Sequence, residues 1–266
     1  MPATQRESRV RKASPGDARG ILNLFTNAFS PALLRYTIYR SLAVESYLKA
    51  YINSPPPGWV LFLIEQENEV LGAYIAQERS EGWFLNYIAV TLHKEGRGIG
   101  GQLLEHFEQE GRRRGAKKAL LDVFESNSRA LTWYYSKGYE LIRRSFFIAI
   151  SIREAAIFRG PDLVVDDKEW RRALDEEQRR GFSNVDGFCH KGSMKVGLIA
   201  GDTLRLMSWE GLSLQEAAGA IARRLGNGRE ELVILSLPRL PSGLPLISQE
   251  AVLRLSRKLI SCKDVS

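Results

Sequence analysis

Residues 85–107 read Leu85-Asn86-Tyr87-Ile88-Ala89-Val90-Thr91-Leu92-His93-Lys94-Glu95-Gly96-Arg97-Gly98-Ile99-Gly100-Gly101-Gln102-Leu103-Leu104-Glu105-His106-Phe107. An apolar run ending at Val90 has the look of a strand. Ile99, Leu103, Leu104 and Phe107 recur on one side of a helix. Between them stand four glycines in the six positions from Gly96 to Gly101. Glycine lets successive amides converge and lets a ligand approach the backbone. The helix behind adds unpaired N–H groups and a partial positive charge. Strand, glycine loop and helix together predict a cradle for a diphosphate, against the plain alternative of a tight turn.

Working outward, the chain before the loop reads as short strands joined by polar turns. Trp59–Gln66, Val70–Glu78 and Trp83–Val90 are separated by Glu67-Asn68-Glu69 and Ser80-Glu81-Gly82. Connections this short join antiparallel neighbours. Upstream lie a short strand over Arg9–Ala13 and a helix opened by Ser14, Pro15 and Asp17. A second helical stretch over Leu42–Ile52 is stopped by Ser54-Pro55-Pro56-Pro57-Gly58. After the loop helix, which Gly115 closes, Ala119–Phe124 is a compact buried strand. Ser128–Lys137 is a helix ending at Gly138, and Tyr139–Ser151 a long strand. A parallel crossover is thus appended to an antiparallel meander. The fold class expected is α/β, an α+β mixed sheet.

The rest of the chain has a different character. Asp166–Arg180 reads as a highly charged helix anchored by Trp170 and Leu174, and Gly181–Gly192 as a loop. Ser193–Trp209 is a hairpin around Gly201-Asp202, and Ser213 with Glu216 forms a capping box opening a helix to Leu225. Glu231–Leu237 is a strand, Pro238–Pro245 a loop, and Ser248 begins a last helix. The expected division is residues 1–152 and a smaller C-terminal α/β unit over 153–266. Three roles are open to the second unit: a degenerate repeat of the first that lost its glycine loop, a wall for the acceptor cleft, or a homodimer interface. The first is preferred.

Composition excludes several classes. With 44% hydrophobic and 26% charged residues, the 266-residue chain can bury a core. No window approaches 18 uninterrupted apolar residues, so no spanning helix and no membrane partner is expected. Two cysteines, Cys189 and Cys262, and no apolar stretch behind the basic start suit a cytoplasmic protein. The formal charge of +7 favours polyanions. Its tightest cluster, Arg112, Arg113, Arg114, Lys117 and Lys118, ends a helix, where the dipole favours cations anyway. Nucleic acid is therefore disfavoured as a partner.

Two cradles can be tested on spacing. A P-loop needs Gly-Lys-Ser/Thr, and Gly101-Gln102-Leu103 stands here instead. A dinucleotide fingerprint needs an early parallel unit, and antiparallel hairpins precede this loop. The residues resemble instead the GNAT superfamily of N-acetyltransferases. Its pattern Gln/Arg-x-x-Gly-x-Gly/Ala falls on Glu95-Gly96-Arg97-Gly98-Ile99-Gly100. Its second signature falls on Asn127, Ala130, Tyr134, Gly138 and Tyr139. The resemblance covers about residues 8–150 and looks closest to the branch that acetylates protein N-terminal amines. Glu95 departs from the pattern, and Lys94 and Arg97 flank it to offset the carboxylate.

The resemblance implies a GNAT-like N-terminal domain that binds acetyl-CoA as co-substrate. The coenzyme would lie between the strands around Leu85–Val90 and Ala119–Phe124. Amides of Arg97, Gly98, Gly100 and Gly101 would hold the diphosphate. Ile88 and the amide of Val90 would lie along the pantetheine arm, with Asn127 bonding the same arm or capping its helix. The implied reaction is direct attack of a neutral amine on the thioester. Tyr134 is the implied general acid, with Tyr135 one position away as its confounder. Phe84 stands where many relatives carry a basic glutamate, so Asp122 is the candidate base, with Glu125 or a water relay as alternatives. The acceptor is a small-molecule or peptide amine. His93, His106 and Cys189-His190 form no metal pattern, and His106 is expected to be solvated. A non-catalytic acyl-CoA sensor is the rival reading.

Overall fold

The computed structural model describes residues 9–67, 69–91, 96 and 98–259. The candidate contact Arg97 lies outside them, as do His93, Lys94, Glu95 and Cys262.

The strands that the turn chemistry marks out form as read. β1 (Val10–Lys12), β2 (Trp59–Gln66), β3 (Glu69–Arg79) and β4 (Gly82–Val90) run antiparallel in order. A 3-10 turn over Pro15–Asp17 leads into α1 (Ala18–Ala28), and α2 (Pro31–Leu34) and α3 (Val44–Asn53) complete the layer. α4 (Ile99–Arg113) returns the chain to β5 (Lys118–Phe124), which lies parallel to β4. α5 (Ser128–Ser136) and β6 (Glu140–Ser151) follow.

Alternation along the strands settles the two faces. Val60, Ile64, Trp83, Leu85, Leu121 and Val123 pack with the apolar side of α4 and α5. Leu61, Leu63, Ala73, Ile75 and Ala89 point the other way, onto Ile21, Leu22 and Phe25 of α1 and Leu48 of α3. Burial of these side chains from water is the main drive for the arrangement.

The second part runs α6 (Ile152–Ala155), α7 (Asp167–Arg180), β7 (Phe182–Cys189), β8 (Gly192–Ile199), β9 (Thr203–Trp209), α8 (Leu214–Leu225), β10 (Glu231–Leu237) and β11 (Leu246–Lys258). Three sequence expectations are corrected here. Residues 182–189 are an edge strand, not a loop: Ser183, Val185 and Gly187 point inward in alternation, but two of the three are small and weak strand formers. The segment after Ser248 is a long strand, not a helix. α7 seats itself through Ala173 and Glu177, the latter held by Arg229 at 2.6 Å, while Leu174 is exposed.

Meander β7–β8–β9, helix α8 and parallel strand β10 repeat the order β2–β3–β4, α4, β5. All strands join one sheet in the order β1-β2-β3-β4-β5-β11-β6-β10-β9-β8-β7. The last strand of each part is exchanged: β11 pairs with β5, and β6 with β10. β6 and β11 pair antiparallel at the centre. Across that ladder Leu253, which faces α4 and α5, points the same way as Phe146 and Ile148, which face α8. The loop helices of both parts therefore cover one face.

Candidate active site

The parallel pairing of β4 with β5 runs only from Trp83↔Ala119 to Leu85↔Leu121. β4 continues to Val90 and β5 to Phe124, so the two strands part. A register shift in the β3–β4 ladder between Ile75 and Ala76 lies where they begin to separate. Beyond it, β4 keeps β3 on one side and has no registered strand on the other. Thr91 N donates to Leu71 O at 2.8 Å. Donors alternate along an antiparallel strand, so the amides of Val90 and Ile88 point away from β3, into the opening.

At the mouth of this opening α4 begins. Its N-cap Gly98 has φ of 81° and, lacking a side chain, caps nothing. The first intrahelical bond is Gln102 N to Gly98 O at 3.0 Å, which leaves the amides of Ile99, Gly100 and Gly101 without an intrahelical partner. A Cβ at Gly98 or Gly101 would meet nothing within 4 Å, so the space over these amides is open. At Gly100 a Cβ would stand 3.6 Å from the Trp133 ring and 3.7 Å from Val90 Cγ2. The loop, the free edge of β4 and α5 thus converge. Unpaired donors, a helix dipole and room for phosphate oxygens fit the diphosphate of a coenzyme A thioester.

α8 begins differently. Ser213 Oγ accepts from Glu216 N at 3.2 Å, and Glu216 Oε2 accepts from Ser213 N at 2.9 Å. Side chains of the chain itself fill that N-terminus, and the carboxylate would repel a diphosphate. The repeat keeps the architecture and closes the cradle.

Tyr134 is buried and faces the strands, its ring 4.9 Å from Trp133 and 5.7 Å from Tyr139. Tyr135 is exposed, which separates the two candidates. Burial raises the Tyr134 phenol well above its ordinary value, keeping it in the acid form. Tyr139 donates to Glu108, which Arg257 of β11 grips at 2.8 and 2.9 Å. Asn127 caps α5, its side-chain oxygen accepting from Ala130 N at 3.1 Å.

Asp122 lies on the opposite face of β5 from Tyr134. Buried Arg254 of β11 donates to both its oxygens, at 2.5 and 2.7 Å, and reaches Glu81 at 3.0 Å. The Arg254 guanidinium also stacks on Phe84, 4.9 Å from the ring centre, with Arg79 at 3.5 Å. The carboxylate in the middle of an apolar strand is explained by this partner, 132 residues away in sequence. Glu125 pairs with Arg144 at 2.5 Å on the surface. His106 is half-buried rather than solvated: it meets Tyr74 Oη at 2.9 Å and packs against Phe62. Burial lowers its pKa.

A cavity of about 710 Å³ lies elsewhere, between the β1 edge and the end of α4. Its charges largely close on one another, Arg11 on Asp17 and Glu65, Arg113 and Arg114 on Glu110. The converging donors, not cavity size, mark the site.

A mixed sheet parting beside an uncapped glycine turn defines an α/β protein with an opening suited to a diphosphate. Residues 20–139 match the model of the acetyltransferase (GNAT) family. The chain is 30% identical over 111 residues to the [ribosomal protein bS18]-alanine N-acetyltransferase of Escherichia coli K12, covering 41% of this chain and 75% of that one. The chain belongs to the GNAT acetyltransferase family, whose members use acyl-CoA. The whole architecture matches a tandem GNAT protein from the clavulanic acid biosynthesis pathway, with TM-score 0.68 at 11% identity over 96% of this chain and 99% of that one. It also matches a GCN5-related N-acetyltransferase from Sphaerobacter thermophilus, with TM-score 0.60 at 13% identity over 97% and 99%. At such identities the likeness speaks for the fold, a GNAT-like domain followed by a second unit. No helix among the described residues is long and apolar enough to cross a membrane.

Proposed function

We propose that the protein transfers an acetyl group from acetyl-CoA to the primary amine of a peptide or small molecule by direct attack. The observation that carries this reading is the opening between β4 and β5, with inward amides at Ile88 and Val90 and an uncapped glycine turn at its mouth. Amides of Gly98, Gly100 and Gly101 hold the diphosphate, and Arg97 joins them from the loop. The β4 amides and Asn127 hold the pantetheine arm. The coenzyme supplies the activated thioester carbonyl.

Tyr134, kept protonated by burial, donates its proton to the departing thiolate. The role of Asp122 is constrained by its partner. Taking up a proton would break a bond to Arg254 and leave a buried guanidinium short of its counter-charge, a costly state. Asp122 accordingly positions β5, and the amine loses its proton to water. Residues 1–152 carry the transfer, while 153–266 form a repeat that completes the sheet and supplies Arg254 and Arg257. A coenzyme A-release assay over peptide, polyamine, aminoglycoside and small-amine panels, run with Tyr134→Phe alongside, tests the reading. Intact coenzyme binding without turnover on any panel would replace it with a sensor.

A further inference from the structure

The segment carrying α2 crosses from the first part to the second and is tied down by charge. Arg35 pairs with Glu231 of β10. Arg40 holds Asp202, with Nη1 at 2.9 Å, and also reaches Ile199 O and Thr203 Oγ1. Each of these guanidinium groups closes on a carboxylate, as do Arg229 and Arg254 in the interior and Arg257 nearer the surface.

Arg205 of β9 does not. It is half-buried, and its single hydrogen bond among the described residues goes from Nη2 to the carbonyl of Tyr36 at 2.8 Å. Its Nε is shut off from solvent, and neither Nε nor Nη1 donates to a described residue. Asp202 is committed to Arg40 and one oxygen of Glu231 to Arg35, and neither carboxylate pairs with Arg205. A cation taken out of water without a counter-charge is unfavourable. Burial accordingly lowers the Arg205 pKa.

Its location matters. Tyr87, on β4 beside Ile88, lies close enough for Arg205 to oppose the rise of its phenol pKa. Tyr36, whose carbonyl Arg205 holds, has its ring tilted against Phe147 at 4.9 Å, and Phe147 meets Phe124 at the end of β5 at 5.9 Å. Arg205 thus lies on the sheet face away from α4, near Tyr87 of β4 and joined through Tyr36 and Phe147 to the end of β5. An acceptor reaching a thioester threaded from the α4 side would come from that face.

We propose that Arg205 is a specificity-determining residue that binds a carboxylate of the acceptor, so that the amine acylated belongs to an amino acid or related amino-carboxylate. This rests on the transferase reading and narrows its substrate class. A planar guanidinium with free donors matches a carboxylate in both charge and geometry. No bond is made or broken at Arg205; it orients the acceptor.

The test compares each amino-carboxylate with its uncharged amide: glycine with glycinamide, β-alanine with β-alaninamide, 4-aminobutyrate with its amide. Coenzyme A release is followed for the parent, Arg205→Met and Arg205→Lys, with acetyl-CoA binding measured separately by calorimetry. The parent should favour the carboxylates by kcat/KM, roughly tenfold to a hundredfold for a hydrogen-bonded charge pair. Arg205→Met should lose that preference while keeping acetyl-CoA affinity and the rate on amides, and Arg205→Lys should keep part of it. An absent preference, or one that survives in Arg205→Met, overturns the inference and leaves the transferase standing. Acetyl-CoA binding with no amine acylated overturns the transferase reading and this inference with it. Removing an unpaired buried charge should not lower the melting temperature; a variant melting well below the parent assigns Arg205 to the fold instead.

Discussion

Replacing Asp122 with Asn separates a structural carboxylate from a catalytic one. The change keeps shape and removes charge, leaving Arg254, whose side chain is 7% exposed, with Glu81 as its remaining carboxylate. Two charge-assisted bonds at 2.5 and 2.7 Å are weakened at once. Bonds to charged groups contribute about 1.5–3 kcal/mol each. Asp122 retains 29% of its side-chain exposure, and the amide still accepts one bond, so we expect a net loss of about 2 kcal/mol, toward the lower end of that range. In a chain of this size that lowers Tm by about 4–8 °C. Urea denaturation and calorimetry measure the loss, and coenzyme A release normalised to folded protein measures the chemistry. The expected outcome is a destabilised enzyme whose kcat stays within about threefold of the parent, well short of the loss expected on removing a proton-transfer group. A variant as stable as the parent with kcat reduced a thousandfold would refute the reasoning and restore Asp122 as the base.

Tyr134→Phe should lower kcat by about 10²–10⁴ while leaving acetyl-CoA affinity unchanged, since only the hydroxyl is lost. Because the Tyr134 pKa is raised, the acid form persists as pH climbs. The parent's pH–rate profile should therefore show no descending limb from this group below about pH 10, and a limb that Tyr134→Phe removes near neutrality would contradict the assignment. Gly101→Ala should stabilise the protein by up to about 1 kcal/mol, as alanine does in helices, because its Cβ meets nothing within 4 Å. The same methyl group stands over the open amides and should weaken acetyl-CoA binding in calorimetry. Unchanged affinity would remove the glycine turn from the site. Finally, acetyl-CoA should titrate to one equivalent per chain, because Ser213 and Glu216 occupy the second helix terminus; two equivalents would show that terminus to be open.

Much of this site is visible in the chain itself because its signals are local. Gly96, Gly98, Gly100 and Gly101 crowd the short stretch between an apolar strand and an amphipathic helix, and a backbone cradle is built from those neighbours alone. Turns such as Ser80-Glu81-Gly82 likewise fix β3 and β4 to within a residue. What escaped is non-local. β11 carries Glu250, Ala251, Leu253, Arg254 and Leu255, good helix formers behind a credible cap at Ser248, and as a central strand lacks clean alternation. With β11 read as a helix, Arg254 has no route to Asp122, and the sequence shows the carboxylate without its partner. Arg205 gave no signal either, since its significance lies in what its neighbours are bonded to.

The placing of β11 between β5 and β6 governs how the protein can be made. Synthesis runs from the N-terminus, so the ribosome releases the glycine turn, Tyr134 and β5 long before the strand that braces them. Until residue 246 onward emerges, β5 and β6 present bare edges facing one another, and Asp122 and Glu108 await their arginines. Chains stopped early by a nonsense codon or a protease would carry every residue proposed for the transfer and still lack the central plank of the sheet.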